Sequence, residues 1–213
     1  MENISGEWSK LFAHRDRIHA RYREIWDVPR IKKRSHLLKR YLRDGMKVLD
    51  VGAGMRGMET EIARLGIDVT YKSMDIDRNN PHDFYDTADI NEQFDAVIMF
   101  EVIEHLDLEE GLQLLTRIGE RVKEKGIIIC STPNIFNPAR YMRDATHRTF
   151  YGYDELCGIL NLAGFEIKDV YRSFNDAVHR YILKVYLLGF LFRILSIDYA
   201  NSVFVVGEKR ELP

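Results

Sequence analysis

A run of small residues between two acids has the types and spacing of a nucleotide-binding turn. The small residues are Gly52, Ala53 and Gly54, and the acid before them is Asp50, which ends the apolar segment 46–51. Glycines allow the backbone angles and the close ligand approach that a side chain would block. Asp75 lies about 20 residues further on, where an acid after the next strand can accept hydrogen bonds from both ribose hydroxyls. The spacing predicts a site for a ligand that contains a nucleoside.

The charge of Asp50 bears on which nucleoside ligand the turn accepts. The glycine pattern Gly52-x-Gly54-x-x-Gly57 also fits the dinucleotide-binding fingerprint, which alone would suggest NAD. A carboxylate that points at the turn would repel a pyrophosphate, whereas it would form a charge-assisted bond with an ammonium group. S-adenosylmethionine carries an amino group and a sulfonium in place of the pyrophosphate. The residues therefore favour S-adenosylmethionine as the cofactor and leave an NAD-dependent oxidoreductase as an alternative.

The segment Asp50-Val51-Gly52-Ala53-Gly54 resembles the first motif of the class I S-adenosylmethionine-dependent methyltransferases, although Arg56 stands at the third glycine position and Gly57 follows it. A second match is Glu101-x-x-Glu104-His105, directly after an apolar strand. The resemblance covers about residues 46–172 and 201–207. It implies methyl transfer from S-adenosylmethionine to a small molecule or lipid, with oxygen as the expected acceptor atom. An RNA methyltransferase and a non-catalytic cofactor-binding module are the alternatives.

The resemblance also places three pairs of residues around the cofactor. They are Asp75 and Ile76, Asp89 and Ile90, and Phe100 and Glu101. The first pair would bind the ribose, and the second would border the adenine with its acid accepting from the exocyclic amine. The third pair would line the methionine end.

Two histidines are candidate general bases. His105 follows the central strand, and its imidazole has an intrinsic pKa near neutrality, so it can take a proton from a substrate hydroxyl. His147 lies in the loop 135–150, which is long for a mere connection. In the family a histidine before the next helix often faces the active site. Each histidine has a structural alternative, which is to order its loop through a backbone hydrogen bond. No metal-ligand spacing stands out, so no metal is expected.

The elements that must position these residues alternate between strands and helices. Predicted strands are 48–51, 67–74, 86–90, 94–100, 127–130, 166–171 and 202–207, and predicted helices are 7–26, 29–42, 58–65, 108–122 and 154–162. The resemblance implies an α/β fold, a Rossmann-like seven-stranded and mostly parallel sheet with an antiparallel last strand and helices on both faces. We expect one domain over 1–213, with an N-terminal helical cap (1–44), a core (45–172 and 201–210) and an apolar helical insertion (173–200).

Charge and composition limit the classes of binding partner and the cellular location that the sequence predicts. The 213 residues carry a formal net charge of −2, but residues 1–45 are basic, which is typical of a solvated face or of a cap that faces an anionic substrate. Nucleic acid is not expected, because no strand interleaves aromatic and basic residues. Two cysteines in apolar runs and no signal-like N-terminus favour a reducing, cytoplasmic location.

The segment 178–197 is more apolar than a simple connection needs. Its best candidate for a membrane span, 181–197, is interrupted by Lys184 and Arg193 and falls short of the roughly 20 residues that a span needs. Two interpretations remain open. The segment is either a buried or homodimer-forming helix, or a helix that rests on a membrane surface and contacts a lipid or apolar substrate.

Overall fold

The computed structural model describes residues 8–210. The helices are α1 (Trp8–Arg21), α2 (Ser35–Tyr41), α3 (Gly57–Arg64), α4 (Leu108–Glu120), α5 (Pro138–Tyr141), α6 (Tyr153–Leu162), α7 (Val178–Ile182) and α8 (Gly189–Ile194). The strands are β1 (Arg30–Ile31), β2 (Lys47–Val51), β3 (Thr70–Met74), β4 (Phe94–Phe100), β5 (Val122–Pro133), β6 (Phe165–Ser173) and β7 (Ser202–Lys209).

The strands form one sheet in the order β1-β6-β7-β5-β4-β2-β3. β7 runs antiparallel to both of its neighbours, whereas every other pair of neighbours is parallel. This confirms the predicted fold class, including the antiparallel last strand. The chain leaves β2 toward β3 on one side and crosses to β4 on the other, so the carboxyl ends of β2 and β4 border a crevice where the strand order reverses.

Side chains of the central strands alternate between two apolar layers. Leu49 and Val51 face a core that includes α1, α4 and α6, and Val48 faces a second core with α2 and α3. This two-sided burial explains why β2 and β4 read as nearly continuous apolar runs. It also determines where the motif residues lie. Because helices cover both faces of β2, the turn that follows this strand is accessible only at the carboxyl edge of the sheet.

Two predicted elements differ from the structure. Residues 86–90 do not form a strand, since Thr87–Asp89 is a 3-10 turn whose two ends are held by Asp86 and Asp89. Pro29 does not open a helix, because Arg30–Ile31 pairs in parallel with the end of β6 and the helix begins at Ser35. The edge strand β1 thus supplies the seventh strand. An N-terminal helix is present as predicted, but α1 and α2 lie on opposite faces of the sheet.

The segment between β6 and β7 stands outside both cores. None of residues 178–196 is buried, and the exposed side chains include Tyr186, Phe190 and Ile194. The interpretation as a helix buried within this chain is therefore wrong. Among residues 8–210, no helix is long and apolar enough to cross a bilayer.

Helix α1 is tied to the sheet through α6. The Tyr153 hydroxyl, buried between the two helices, donates to the backbone oxygen of Tyr22 at 2.8 Å. We expect Tyr153→Phe to lower the free energy of unfolding by about 1–2 kcal/mol, because it leaves that carbonyl unpaired. Chemical denaturation measures the loss. Tyr186→Phe, at an exposed position, is the matched control and should leave the stability unchanged; equal losses in both variants would contradict the role of the buried bond.

Candidate functional site

A cavity of about 670 Å³ opens at the carboxyl ends of β2, β3 and β4. Its lining includes Gly52 of the predicted turn, Asp75 and Ile76 after β3, and Glu101 and His105 after β4. The structure therefore brings together these predicted residues, of which Gly52 and His105 are 53 positions apart in the sequence. We call this space the donor cavity.

The turn after β2 has the backbone geometry that its glycines predict. Gly52 and Gly54 have φ of +73° and +50°, and Arg56, directly before α3, is also left-handed at +57°. A Cβ on Gly52 would lie 2.3 Å from Cγ2 of Val102, which also lines the cavity. Gly52 is thus required both by its dihedral angle and by the close approach of the segment after β4. Ala53 is buried and lies outside the lining.

Asp75 connects the turn to the cavity. Its Oδ2 accepts from the backbone N–H of Gly54 at 2.8 Å, and its Oδ1 accepts from the N–H of Asp77 at 2.9 Å. A carboxylate offers about four lone-pair sites, so these two bonds leave acceptor capacity for a ligand. The half-buried carboxylate is therefore held in place at the cavity wall, where it can receive two ribose hydroxyls. Ile76, largely exposed, lines the same wall.

At the far end of the donor cavity the structure differs from the sequence prediction. Asp89 accepts from the backbone N–H of Asp86 and caps its own turn, and Ile90 is buried in the core. Neither residue lines the cavity; Asp86 and Thr87 do. The bonds from Ala88 and Thr87 to Asp86 both end on Oδ1, and the bond from the Ala88 N–H holds the pKa of Asp86 below its usual range. The acid of this turn that lines the donor cavity is therefore Asp86, three residues before the predicted Asp89.

Asp50 also differs from its predicted position. Its carboxylate is 4% exposed and lies outside the lining of the donor cavity, because it shares the sheet face of Val48, beneath α3. The Tyr71 hydroxyl donates to it at 2.5 Å. Burial raises the pKa of Asp50 to about 6, against the opposing effects of the Tyr71 bond and of Arg34. Asp50 therefore bonds to β3 on the covered face of the sheet and does not line the donor cavity.

This burial predicts a pH-dependent stability. The folded-state pKa of about 6 lies above the usual aspartate pKa of 3.8, so folding favours the protonated acid. The stabilisation that comes from the raised pKa of Asp50 is fully present below pH 4 and is lost as the pH rises through 6. In that window the free energy of unfolding falls by up to about 1.4 kcal/mol per pH unit. Asp50→Asn keeps an acceptor for Tyr71 and removes the titration. The stability of the wild type relative to this variant should fall between pH 4 and pH 7 in urea unfolding, and a constant difference would contradict the assignment.

A second cavity, of about 470 Å³, lies on the other side of Glu101. Its lining includes Phe100, Ser131 and four basic residues, namely Lys32, Lys33, Arg34 and Arg140. Phe100, predicted at the donor, lies in this second cavity and packs edge-on against Phe204. We call this space the acceptor cavity. The basic residues come from the segment before α2 and from the loop 135–150. Part of the basic N-terminal region thus lines a cavity, and that it faces an anionic substrate stays a prediction.

Glu101 belongs to both cavities. Its φ is +55°, its backbone N–H donates to the carbonyl of Ser131 at 3.1 Å, and its Oε1 accepts from the Ser131 hydroxyl at 2.8 Å. Burial raises the pKa of this carboxyl above its usual range. The left-handed backbone, held by two bonds to β5, turns the Glu101 side chain into the wall between the cavities.

The two predicted histidines meet beside that wall. The rings of His105 and His147 are 5.0 Å apart, and one donor atom each from Glu104, His105 and His147 lies within 4.8 Å of the other two. Glu104 is fully buried, and burial together with the charge of Glu101 raises its pKa to about 8. No spacing along the chain shows this group, because the loop 135–150 must fold back to bring His147 to the end of β4. The prediction of no metal site did not anticipate it.

The chain belongs to the family described as the methyltransferase domain, which matches residues 19–170. Curated relatives include the ubiquinone biosynthesis O-methyltransferases of Cereibacter sphaeroides and Dinoroseobacter shibae. Each is 30% identical, in alignments of 156 and 155 positions respectively that cover 59% of this chain and 62% of the relative. The chain thus spans less than two thirds of the length of the curated relatives it matches.

Solved structures support the fold. A SAM-dependent methyltransferase from Archaeoglobus fulgidus superposes with a TM-score of 0.62 at 18% identity, covering 83% of this chain and 95% of that one. Phosphoethanolamine N-methyltransferase 2 from Haemonchus contortus, solved with S-adenosyl-L-methionine, gives 0.54 at 16% identity, with coverage of 83% and 52%.

The chain therefore contains a methyltransferase domain, and its fold is that of solved S-adenosylmethionine-dependent methyltransferases. This conclusion replaces the NAD-dependent alternative. The donor cavity fits the cofactor by its own features: a turn where a Cβ would collide, a carboxylate at the ribose position and an ionised acid at the far end. Apolar side chains, among them Met74, Val102 and Leu114, complete its walls.

Proposed function

We propose that this protein transfers the methyl group of S-adenosylmethionine to an oxygen atom of a small, anionic acceptor that binds in the acceptor cavity. The single observation that carries this proposal is that one residue, Glu101, lines both cavities. A donor and an acceptor that occupy them would meet at that wall. The names of the curated relatives, which are O-methyltransferases, support oxygen as the acceptor atom.

The charge of the acceptor cavity supports an anionic acceptor. Four basic residues line it against two acids, Glu61 and Glu101. Arg34 pairs with Glu61 at 2.6 Å, which leaves the positive charge of the cavity on Lys32, Lys33 and Arg140. Guanidinium and ammonium groups that line one cavity attract and orient a carboxylate or phosphate group.

The sulfonium of the bound cofactor supplies an activated methyl group. The chain's own task is to hold the acceptor oxygen in line with that group and to exclude water. Glu101 fixes the boundary between the cavities, Phe100 and Phe204 provide an apolar floor on the acceptor side, and Arg140 reaches in from the loop. We propose that His105, at the edge of the donor cavity, takes the acceptor's proton, with the His147 ring 5.0 Å away beside it.

The exposed segment 178–197 supports a membrane-associated acceptor. It carries Arg180, Lys184 and Arg193 and contains no Asp or Glu. Asn175, three residues before α7, lines the acceptor cavity, so the segment begins close to that cavity along the chain. An apolar face with basic residues binds the surface of an anionic bilayer. We therefore propose a cytoplasmic protein that contacts membranes through this segment and receives a lipid-soluble acceptor there.

Turnover tests the methyl transfer. Labelled S-adenosylmethionine is incubated with a panel of phenolic and aliphatic acids, phospholipids and RNA, and the product is located by mass spectrometry. We expect O-methylation of an anionic small molecule or lipid, and Arg140→Met should raise its KM by about tenfold, the effect of losing one charged hydrogen bond. Arg143→Met, exposed in the same loop and outside the cavity, is the control. Product on RNA alone, or no product at all, would contradict the proposal.

Sedimentation with vesicles tests the membrane contact. The wild type should bind vesicles that contain anionic lipid and not purely zwitterionic ones, since three basic residues border the apolar face. Replacing both Phe190 and Ile194 with glutamine should reduce binding by more than tenfold, because two exposed apolar anchors are lost. Phe12→Gln, at a half-exposed site on α1, is the control. A dimer that dissociates in the double variant, without vesicle binding, would assign the face to a second copy of the chain instead.

A further inference from the structure

We propose that the acceptor is a phosphorylated sugar, which the acceptor cavity binds through both its phosphate and its hydroxyl groups. This inference rests on the proposed function, because it names the acceptor class of the same site. Within the described part of the chain, two of the 14 residues that line the cavity are apolar, namely Phe100 and Phe204. The others carry hydroxyl, amide, carboxyl or basic groups. Walls of this composition suit an acceptor that is polar over most of its surface.

The cavity lies where β1 and β6 end and β7 begins. Lys32 and Lys33 directly follow β1. Ser173 is the last residue of β6, and it pairs in register with Ile31 of β1 on one side and with Ser202 of β7 on the other. The sheet therefore holds the two serines, and side chains on strands are positioned more precisely than side chains on loops.

Hydroxyl and amide groups of the lining have hydrogen-bonding capacity left over. The Ser173 hydroxyl forms no hydrogen bond within residues 8–210. Oδ1 of Asn201 accepts from the backbone N–H of Asn175 at 2.9 Å, which leaves the N–H₂ group of Asn201 without a partner in that range. The Ser131 hydroxyl donates to Glu101 at 2.8 Å, and its oxygen can still accept. A sugar hydroxyl both donates and accepts, whereas an ionised carboxylate only accepts. This mixture of donors and acceptors thus indicates a ligand with several hydroxyl groups.

The unpaired charge of the cavity fits a phosphate group. Three of its basic residues form no ion pair with another described residue, namely Lys32, Lys33 and Arg140. The fourth, Arg34, is paired with Glu61, so Glu101 is the acid of the lining that opposes these three charges. A phosphate monoester carries a charge of about −1.5 to −2 at neutral pH, whereas a carboxylate carries a single charge. The phosphate ester therefore matches the cavity better.

The two aromatic side chains provide a surface for the sugar ring. Phe100 and Phe204 pack edge-on, with their ring centroids 5.2 Å apart. A sugar ring exposes C–H groups on its faces and hydroxyl groups at its edge. Its C–H groups can pack against an aromatic side chain while its hydroxyl groups reach the polar walls. A flat apolar acceptor would use the aromatic side chains alone and leave the polar walls without partners.

The reaction on such an acceptor joins the methyl group to a sugar hydroxyl. The hydroxyl oxygen, at the boundary that Glu101 forms, bonds to the methyl carbon as the carbon–sulfur bond of the donor breaks. The electron pair of the broken bond stays on the sulfur, and the hydroxyl proton passes to the imidazole of His105. A site that bonds the hydroxyl groups of its substrate discriminates strongly against analogues that lack them, because its own polar groups then lose their partners.

Binding without turnover tests the inference. The full chain, saturated with S-adenosylhomocysteine, is titrated by calorimetry with the 1-phosphates of glucose, galactose and mannose, with the free sugars, and with phenyl phosphate. At least one hexose phosphate should bind tenfold or more tightly than phenyl phosphate, because it adds hydrogen bonds to the polar walls. It should also exceed its own free sugar by tenfold or more, because the phosphate meets the unpaired basic residues.

Two variants separate the phosphate contacts from the hydroxyl contacts. Lys33→Met should weaken binding of the hexose phosphate and of phenyl phosphate alike, each by about tenfold. Ser173→Ala should weaken the hexose phosphate by about 3- to 10-fold and leave phenyl phosphate unchanged, since only the sugar bonds to that hydroxyl. Lys39→Met and Ser9→Ala, at exposed sites outside the cavity, are the matched controls. All four variants should keep the affinity of the wild type for S-adenosylmethionine, which shows that they are folded.

The outcomes separate this inference from the proposed function. Phenyl phosphate that binds as tightly as every hexose phosphate, or a Ser173→Ala variant that loses both ligands equally, would overturn the sugar phosphate as acceptor. O-methylation of a phenolic acid would then leave the proposed function standing. Selective binding of a hexose phosphate with no methylated product from any acceptor would contradict the proposed function and leave the ligand class standing.

Two esters of the preferred sugar show its source. The sugar is offered as its nucleoside diphosphate and as its polyprenyl phosphate in detergent. Tighter binding of either ester than of the 1-phosphate supports the inference and shows whether the sugar is carried by a nucleotide or by a lipid. Weaker binding of both supports it with the free sugar phosphate as the acceptor.

Discussion

Replacing Gly52 with alanine is expected to weaken S-adenosylmethionine binding by roughly 100-fold or more. Two costs combine at this position. An L-residue held at φ of +73° is strained by about 1–2 kcal/mol. The added Cβ would also lie 2.3 Å from Cγ2 of Val102, and relief of that overlap by displacing the turn or the segment after β4 costs about 1–3 kcal/mol. Both segments form walls of the donor cavity, so either displacement deforms it.

Gly54→Ala is the matched control, because Gly54 is also left-handed but no atom lies within 4 Å of its added Cβ. In this variant only the backbone strain should lower the affinity for the donor, by a factor of about ten. Adding Val102→Ala to Gly52→Ala should recover part of the lost affinity, since it removes the colliding methyl group. Calorimetry with the donor measures all four proteins. Equal losses for the two glycine variants, or no recovery in the double variant, would contradict the account.

The fold was predictable because its strongest signals are local. The central strands are covered on both faces, so they appear in the sequence as apolar runs such as 94–100, and each is followed by its motif. The edge strand β1 could not be found in this way. It contains two residues, Arg30 and Ile31, and exists only because the end of β6 offers it hydrogen bonds. A pairing between segments 140 residues apart leaves no periodic pattern in either.

The donor site was predictable in part. Gly52, Asp75, Ile76 and Glu101 follow the strands that position them, and all four line the donor cavity. The prediction for the adenine end was displaced by three residues. Asp86-Thr87-Ala88-Asp89 forms a turn that Asp89 caps, so Asp89 does not line the cavity. The sequence contains a signal for this turn, since an acid followed three residues later by another acid resembles a capping box. That reading would have left Asp86 and Thr87 for the ligand.

The acceptor side lay beyond what the sequence could predict. Its cavity joins residues from the N-terminal region, from the loop 135–150 and from β7, and three-dimensional packing alone brings Lys33 and Arg140 to one cavity. The buried position of Asp50 has a similar cause. Strand alternation sets the side to which a residue points, but the sequence does not show that α3 covers that side and that Tyr71 is there to bond the carboxylate.

Replacing Asp75 with asparagine is the second change with a large expected effect, a loss of about 10- to 100-fold in affinity for S-adenosylmethionine. The substitution keeps one acceptor oxygen, which can satisfy the N–H of Gly54, but it removes the negative charge and places an amide N–H₂ at the other oxygen position. Hydrogen bonds to a charged group contribute about 1.5–3 kcal/mol, and the ribose hydroxyls would lose such a partner.

Asp77→Asn provides the matched control two residues away. Asp77 accepts from the backbone and side chain of Asn79 within its own turn, and it does not line the donor cavity. A cofactor analogue without the ribose hydroxyls should bind more weakly than S-adenosylmethionine to the wild type and to Asp77→Asn. It should lose little further affinity on Asp75→Asn, because the partner of those hydroxyls is already absent. If the analogue and the variant reduce affinity independently, so that their effects simply add in a double cycle, Asp75 does not bind the ribose and acts only by holding the Gly54 turn.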